Sequence, residues 1–330
     1  MAVNASIQPT PDFPDLDLGR PSRSLGQEAV QRLFRNKASV AGMVVIAFFT
    51  LIAIFANVLA PYSPLKLHSG KKYLPPAWVK TSNTGIVGDP EFLLGTDTLG
   101  RDLLSRLMYG ARVSMVVGFL PTIIILLVGI SVGMIAGFAG GRVDNFLMRL
   151  TDVIYGFPDL LFFITILVSL RDTWIGNLFN GLFLLFTALA IVNWVGVARI
   201  VRGQVLSLKE KEFIEAARCI GATNGRIMLR HLLPNVLGPV IVVAAFLIPG
   251  MIITEAILGY LGLGLKPASD SAAVFITSWG VLMLEGQSAI NAQPFILLSP
   301  ATCVALIVLA FTFLGDGLRD ALDPRMRGTH

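Results

Sequence analysis

Charged residues are scarce in this chain. Asp, Glu, Lys and Arg together make up 14% of its 330 residues, whereas a soluble domain carries about 25%. Hydrophobic residues make up 54% of the sequence. Because a chain this apolar cannot stay dispersed in water, the composition excludes a soluble domain and predicts an integral membrane protein.

Thiol and imidazole side chains are also few. Cys219 and Cys303 lie far apart, and His68, His231 and His330 are dispersed along the chain. This spacing excludes a disulfide framework and a zinc site, so we expect the chain to bind no metal.

Motifs for catalysis and for an energy supply are missing. No G-x-x-x-x-G-K-[ST] phosphate loop occurs, and the nearest stretch, residues 70–73, fails the pattern. The H-E-x-x-H motif of zinc proteases is absent, and no histidine falls in an apolar run, where a serine intramembrane protease would need one. Secondary transporters often show internal repeats, which this chain lacks. We therefore expect no enzyme activity and no cofactor in this chain.

Long apolar runs are abundant. A membrane-spanning helix needs about 20 apolar residues, and such runs occur at 38–60, 113–138, 178–198, 236–254 and 295–315, with a weaker one at 153–170 that Asp159 interrupts. Continuous runs exclude the alternating pattern of a β-barrel. The sequence predicts an all-α polytopic membrane protein with about six transmembrane helices.

The same runs divide the chain into regions. Residues 1–37 form a tail whose end, from Ser24, is either a short amphipathic helix on the membrane surface or an extension of the first span. The first span (38–60) is followed by an extracytoplasmic loop (61–112), a core of five spans (113–315) and a tail (316–330).

Basic residues give the orientation. The net charge is +5, but the basic residues are scattered over loops rather than gathered in a stripe, so we expect no nucleic-acid binding. Lys and Arg concentrate before residue 38, between 199 and 230, and after 318, whereas the loops 171–177 and 263–294 hold only Arg171 and Lys266. Cytoplasmic loops are the basic ones, so both termini are predicted inside; loop 61–112, also basic, is the exception.

The loop 199–235 is unusually patterned. Lys209–Glu212 is a solvated charge run, residues 215–217 favour a helix, and Gly221 allows a sharp turn. Thr223 or Asn224 then caps a second short helix that is expected to end before Pro234. This helix–turn–helix is either a rigid knob that docks in a groove of a partner protein or an ordinary amphipathic connection at the membrane surface.

A family resemblance favours the docking interpretation. Glu215-Ala216-Ala217, Gly221 and Leu233-Pro234 resemble the "EAA" coupling loop of bacterial ABC-importer permeases, and His231 before Leu233 is similar to the peptide and nickel branch. Residues 35–37, 60–64, 94–102, 105–106, 110–114, 199–206, 261–264 and 315–324 also resemble that branch. The resemblance covers residues 32–326 and is specific to the C-type subunit.

The resemblance implies a type I importer permease fold in the bacterial cytoplasmic membrane. Its expected partners are a second, homologous permease in a heterodimer, two ABC ATPases that bind ATP and Mg²⁺, an extracytoplasmic substrate-binding protein and a peptide cargo. Nickel chelates or glutathione-like compounds are the alternative cargoes, and a self-sufficient secondary transporter is the alternative function. The residues implied in ATPase coupling are Glu215, Ala216, Ala217, Gly221, Ala222, Ile227, His231, Leu233 and Pro234.

Two further sets of residues are candidates for function. Gly95, Asp97, Gly100, Arg101 and Asp102 form a turn-rich motif before the second span, which either has a structural role, with Arg101 and Asp102 pairing or capping a helix, or helps to seat the binding protein or close the external mouth. Glu255, an ionisable residue late in the fifth span, is with Met251 a candidate pore or outer-gate residue. The alternatives for Glu255 are a helix cap or an ion pair with the second permease.

Overall fold

The fold is built from helices. The structure, a computed structural model, describes residues 25–80, 85–268, 270 and 273–322. In these ranges there is no strand, only an isolated bridge between Thr96 and Asp102. The α-helices are α1 Leu25–Arg35, α2 Lys37–Leu59, α3 Leu103–Ala139, α4 Gly141–Tyr155, α5 Asp159–Leu170, α6 Trp174–Asn177, α7 Leu182–Leu208, α8 Glu212–Cys219, α9 Asn224–Ile227, α10 Leu233–Tyr260, α11 Trp279–Gln287 and α12 Phe295–Leu322. The predicted all-α class is confirmed.

Five helical segments of the described chain are long and apolar enough to cross a membrane. They are α2, α3, residues 174–208, residues 224–260 and α12. A sixth crossing exists if α4 and α5 count as one span, although these helices are bent by 78°. The break contains Pro158, whose ring disfavours a helical conformation at the preceding residue. The weak run at 153–170 is therefore part of a bent helix pair rather than one straight helix.

The spans extend beyond their apolar runs. Helix α3 begins at Leu103 rather than at residue 113, because the Asp102 carboxylate caps it by accepting a hydrogen bond from the Ser105 N–H at 2.8 Å. The loop predicted as 61–112 is therefore the shorter segment 61–102. Helix α12 likewise continues to Leu322, into the predicted tail.

The amphipathic helix at the N-terminus is separate from the first span. One residue, Asn36, lies between α1 and α2, and its side-chain oxygen accepts hydrogen bonds from the N–H groups of Ala38 and Ser39 at 3.0 and 3.3 Å. Helix α1 packs against α12. Ser24, where this helix was expected to begin, lies outside the described residues.

Small residues bring α3 and α7 into close contact. A Cβ atom added to Gly129, Gly133 or Gly137 would lie 2.5–2.8 Å from atoms of α7, among them the Val197 and Val205 side chains. Glycines four residues apart line one helix face and allow this approach. Their spacing therefore serves packing inside the subunit, and the main hydrophobic core lies around this contact.

Candidate coupling site

Helix α8 ends in a turn that needs glycine. Gly221 has a φ of +79°, which favours glycine, while an added Cβ would meet nothing within 4 Å. The N–H of Gly221 donates to the Arg218 carbonyl at 2.9 Å, and the N–H of Ala222 donates to the Ala217 carbonyl at 3.0 Å. This is a Schellman motif. The sharp turn therefore lies at Gly221, the position that the sequence indicated.

The second helix does not end before Pro234, so that prediction is wrong. Helix α9 starts at Asn224 and continues through a π-helical turn, Met228–Leu232, into α10, which gives one helical segment from residue 224 to Tyr260. Proline has no N–H for an α-helical bond, and its ring clashes with the carbonyl four residues earlier. The wider π turn lies where that carbonyl, on Arg230, has to be accommodated.

Helices α8 and α9 are anchored in the subunit by apolar side chains. Ile214, Ala217, Ile227 and Leu232 are at most 4% exposed and belong to the main core, which also contains Val205 of α7. The residues implied in ATPase coupling thus include two, Ala217 and Ile227, that are buried in this subunit. Their implied role in coupling stays a prediction, and in this structure their side chains attach the loop to the spanning helices.

The outward face of residues 212–230, here named the knob, combines apolar and charged side chains. Ile220 is 85% exposed and Leu229 is 67% exposed. The charged residues around them are exposed too, namely Glu212, Glu215, Arg218, Arg226 and Arg230. An apolar centre with a charged rim is typical of protein–protein interfaces. The chemistry of the knob therefore suits a protein groove.

The other residues of the coupling motif also divide into exposed and partly buried ones. Glu215, Ala216, Gly221 and Pro234 are exposed, whereas Ala222, His231 and Leu233 are partly buried. The carbonyl oxygen of His231 accepts a hydrogen bond from the Asn235 side chain at 2.6 Å. The motif thus supplies both an exposed surface and its attachment.

An ion pair and a hydrogen bond brace the helix that leads into the knob. Arg202 of α7 makes a two-bond contact with Asp144 of α4, with N–O distances of 2.5 and 2.7 Å. The Lys209 ammonium donates to the Gly137 carbonyl of α3 at 3.2 Å. These contacts fix the end of α7 to α3 and α4. Sequence reasoning missed Asp144, because α4 also carries Arg142, Arg149 and Asp152 and nothing in the sequence sets one of these charges apart.

The turn-rich motif lies at the opposite end of α3. Gly95 and Gly100 have φ values of +80° and +82°, and a Cβ on Gly95 would lie 2.1 Å from the Leu74 carbonyl oxygen. The corresponding distance from Gly100 to the His68 carbonyl oxygen is 2.7 Å. Both glycines therefore permit a backbone conformation and a close approach that fold segment 61–102 onto the start of α3.

A buried charge cluster, Asp97–Arg101–Arg106–Glu285, holds this end together. The Asp97 carboxylate accepts hydrogen bonds from Arg101 Nε and Arg106 Nη1, both at 2.6 Å. Glu285 of α11 accepts from Arg101 Nη2 at 2.8 Å and from Arg106 Nη2 at 3.0 Å. Two negative and two positive groups thus join three segments of the chain. Arg101 pairs within this cluster, whereas Asp102 caps α3.

Sequence reasoning missed Glu285. It is the one charged residue of α11, and a lone carboxylate in an apolar helix was the signal that could have identified it.

Glu255 and Met251 lie inside the subunit and not on its surface. Glu255 is fully buried, Met251 is 3% exposed, and the Glu255 carboxylate accepts a hydrogen bond from the Ser114 hydroxyl at 3.2 Å. Gly280 of α11 packs so closely on α10 that an added Cβ would lie 3.1 Å from the Glu255 carbonyl oxygen. Both residues are therefore buried in this conformation, and their assignment to a pore or an outer gate stays a prediction.

Two family profiles match this sequence. The profile described as "Binding-protein-dependent transport system inner membrane component" matches residues 129–328. The profile described as "N-terminal TM domain of oligopeptide transport permease C" matches residues 24–76.

Curated relatives align over nearly the whole chain. The oligopeptide transport system permease protein OppC of Haemophilus influenzae is 40% identical, with 92% of this chain and 90% of the relative covered. The dipeptide transport system permease protein DppC of Bacillus subtilis is 38% identical, with coverages of 93% and 88%. The OppC protein of Escherichia coli K12 is 39% identical, with coverages of 92% and 93%.

A solved structure is similar in fold. A chain of the methionine ABC transporter MetNI, in an inward-facing conformation, superposes with a TM-score of 0.52 at 16% identity. The match covers 67% of this chain and 98% of that one. At this identity the likeness concerns the fold alone, which is that of an ABC importer permease.

Proposed function

Because this chain belongs to the family of binding-protein-dependent transport system inner membrane components, and within it to the oligopeptide and dipeptide permeases, we propose that it forms half of a membrane path for peptides. A second, homologous permease forms the other half. Separate ABC ATPases bind and hydrolyse ATP with Mg²⁺, and this chain hydrolyses none itself. A substrate-binding protein delivers the peptide from outside.

The knob is the proposed contact with one ATPase. The observation that carries this assignment is the exposure of Ile220, at 85%, on a turn that is otherwise rigidly built. An exposed isoleucine at the tip of a charged knob gains from burial in a groove, roughly 1.5–3 kcal/mol for a fully buried side chain. Glu215 and Arg218 lie at the rim, where charges steer association and fix the register.

Movement of the ATPase is transmitted to the spanning helices through the buried side chains that attach the knob to them. Ile227 is buried at the start of the helical segment that continues to Tyr260, and Ile214 packs in the same core as α7. A displacement of the knob therefore displaces α7 and α10 together. Glu255 and Met251 lie far along the same segment, where α11 packs, so this displacement is transmitted to the opposite end of the bundle.

This mechanism requires the knob to be cytoplasmic. The basic residues around it, Arg218, Arg226 and Arg230, agree with that side. Both chain termini are then cytoplasmic, and segment 61–102, with its buried charge cluster, faces the binding protein. A peptide is the proposed cargo because the relatives with the matched sequences carry oligopeptides or dipeptides by name.

The proposal is tested by placing a charge at the tip of the knob. We expect Ile220→Asp to reduce co-purification of the ATPase subunits and peptide uptake in reconstituted vesicles, while the second permease is retained. Val87→Asp is the matched control for ATPase retention, because Val87 is 56% exposed in segment 61–102 and far from the knob. Normal ATPase retention and normal uptake with Ile220→Asp would contradict the assignment.

A further inference from the structure

An apolar groove runs between α2 and α3 and has a volume of about 330 Å³. It is lined by Thr50, Ala53 and Ile54 of α2 and by Met115, Val116 and Phe119 of α3, with Arg112 beside them. Its size falls within the range of about 300–1,000 Å³ that small-molecule sites have. Seen alone, it is a space for one hydrocarbon chain.

The guanidinium of Arg112 lies at the groove and has only neutral partners. Its Nε donates to the Ala53 carbonyl at 3.0 Å, Nη1 to the Val274 carbonyl at 3.4 Å and Nη2 to the Asn57 side-chain oxygen at 3.1 Å. Among the described residues, no ion pair includes Arg112. Since arginine has five N–H donors, its charge and two donors remain for an external anion.

Arg112 lies near the ends of α2 and α3 that segment 61–102 connects. The end of α2 meets the start of α3, where the Tyr62 N–H donates to Ser105 Oγ at 3.0 Å. Ala53 lies six residues before the end of α2, or about 9 Å at 1.5 Å per residue. From Arg112 to Phe119 the groove then runs about 10 Å deeper along α3. A cation at the mouth and an apolar channel below it match a headgroup and its acyl chain.

We propose that this groove binds an anionic phospholipid, with its phosphate on Arg112 and one acyl chain along Thr50 and Phe119. A planar guanidinium with free N–H groups recognises phosphate in a two-bond geometry. An unpaired charge near the hydrocarbon region is costly, and the lipid phosphate removes that cost. An apolar helix of the second permease would cover the groove without neutralising Arg112, so charge complementarity favours the lipid.

The test is native mass spectrometry of the assembled transporter in mild detergent, titrated with phosphatidylglycerol or with phosphatidylethanolamine. We expect Arg112→Gln to lose the preference for phosphatidylglycerol, with an affinity lowered by about tenfold or more, since it loses a charge-assisted contact. Thr50→Phe fills the groove and leaves Arg112 itself unaltered. It is expected to reduce retention of both lipids, because the acyl chain no longer fits.

Arg171→Gln is the matched control. Arg171 also donates to a backbone carbonyl, that of Gly262 at 3.0 Å, but the pocket beside it holds only about 10 Å³. The Arg171→Gln transporter should bind both lipids as the unaltered transporter does. Equal phosphatidylglycerol affinity in the unaltered protein and Arg112→Gln overturns the proposal. So does unchanged binding by Thr50→Phe, or a cross-link that shows a helix of the second permease in the groove.

Discussion

Replacing Asp97 by Asn removes one charge from a buried cluster together with the two hydrogen bonds that Asp97 Oδ2 accepts there. Asp97 is fully buried, and the Arg106 side chain beside it is 3% exposed. The Asn oxygen can still accept the hydrogen bonds that Asp97 Oδ1 receives from the N–H groups of Leu99 and Arg101, at 2.8 and 2.9 Å. What is lost is the balance of two carboxylates against two guanidinium groups, and with it the hydrogen bonds from Arg101 Nε and Arg106 Nη1, because the amide NH2 that replaces Oδ2 can only donate.

The expected loss of stability follows from the burial of Asp97 and Arg106. With Asp97 neutral, Arg101 and Arg106 share the single carboxylate of Glu285, so one buried positive charge is uncompensated. Breaking a buried ion pair by removing one partner costs about 3–5 kcal/mol. For chains above about 150 residues, each kcal/mol lowers Tm by about 2–4 °C. A decrease in Tm on the order of 10 °C is therefore expected.

The assay is thermal unfolding of the purified transporter, followed by size-exclusion chromatography after heating. Asp89→Asn in the same segment is the matched control. Asp89 pairs with Lys71 at the surface, where the hydrogen bond from Lys71 lowers the pKa of the Asp89 carboxyl. Solvent screens such a pair, so Tm should stay close to that of the unaltered protein. Equal Tm values for Asp97→Asn and Asp89→Asn would refute the reasoning.

Three more substitutions probe the packing and the coupling site. Gly221→Ala forces a left-handed conformation at a cost of about 1–2 kcal/mol and should weaken ATPase retention in a pull-down, whereas Gly225→Ala, in open space without positive φ, should not. Gly133→Leu places a Cβ 2.5 Å from a backbone carbonyl of α7, so the yield of folded protein on size exclusion should fall, while Gly203→Leu, with free space, should fold. Glu255→Gln keeps an acceptor for the serine hydroxyl on α3 and should leave the KM of peptide uptake unchanged; a raised KM would show contact with the cargo.

Local backbone chemistry explains what could be predicted from the sequence. The turn at Gly221 follows from helix-forming residues before it and glycine at the C′ position, which are local properties. The four-residue spacing of Gly129, Gly133 and Gly137 is also a local property of the sequence, and it favours close helix packing. The number of spans followed from apolar runs, whereas their ends did not, because caps such as Asp102 extend helices into polar sequence.

The features that could not be predicted depend on contacts between residues that lie far apart in the sequence. Glu285 lies far along the chain from Arg106, and one sequence does not show that they meet. Ile227 looked like part of a docking surface because the apolar face of an amphipathic helix can pack against a partner or against its own subunit. The sequence alone does not show which of the two that face contacts. The passage of the helix through Pro234 depends on a π turn, which hydropathy does not indicate.

Cys219 allows the most direct measurement of the central claim, that the knob docks on a cytoplasmic ATPase. Its thiol is exposed on α8, and Cys303 can be replaced by Ser to leave one thiol. In inside-out vesicles stripped of ATPases, a membrane-impermeant maleimide should label Cys219, and rebinding the ATPases should protect it. Intact spheroplasts should show no labelling. Labelling from outside, or equal labelling with and without bound ATPases, would contradict the account.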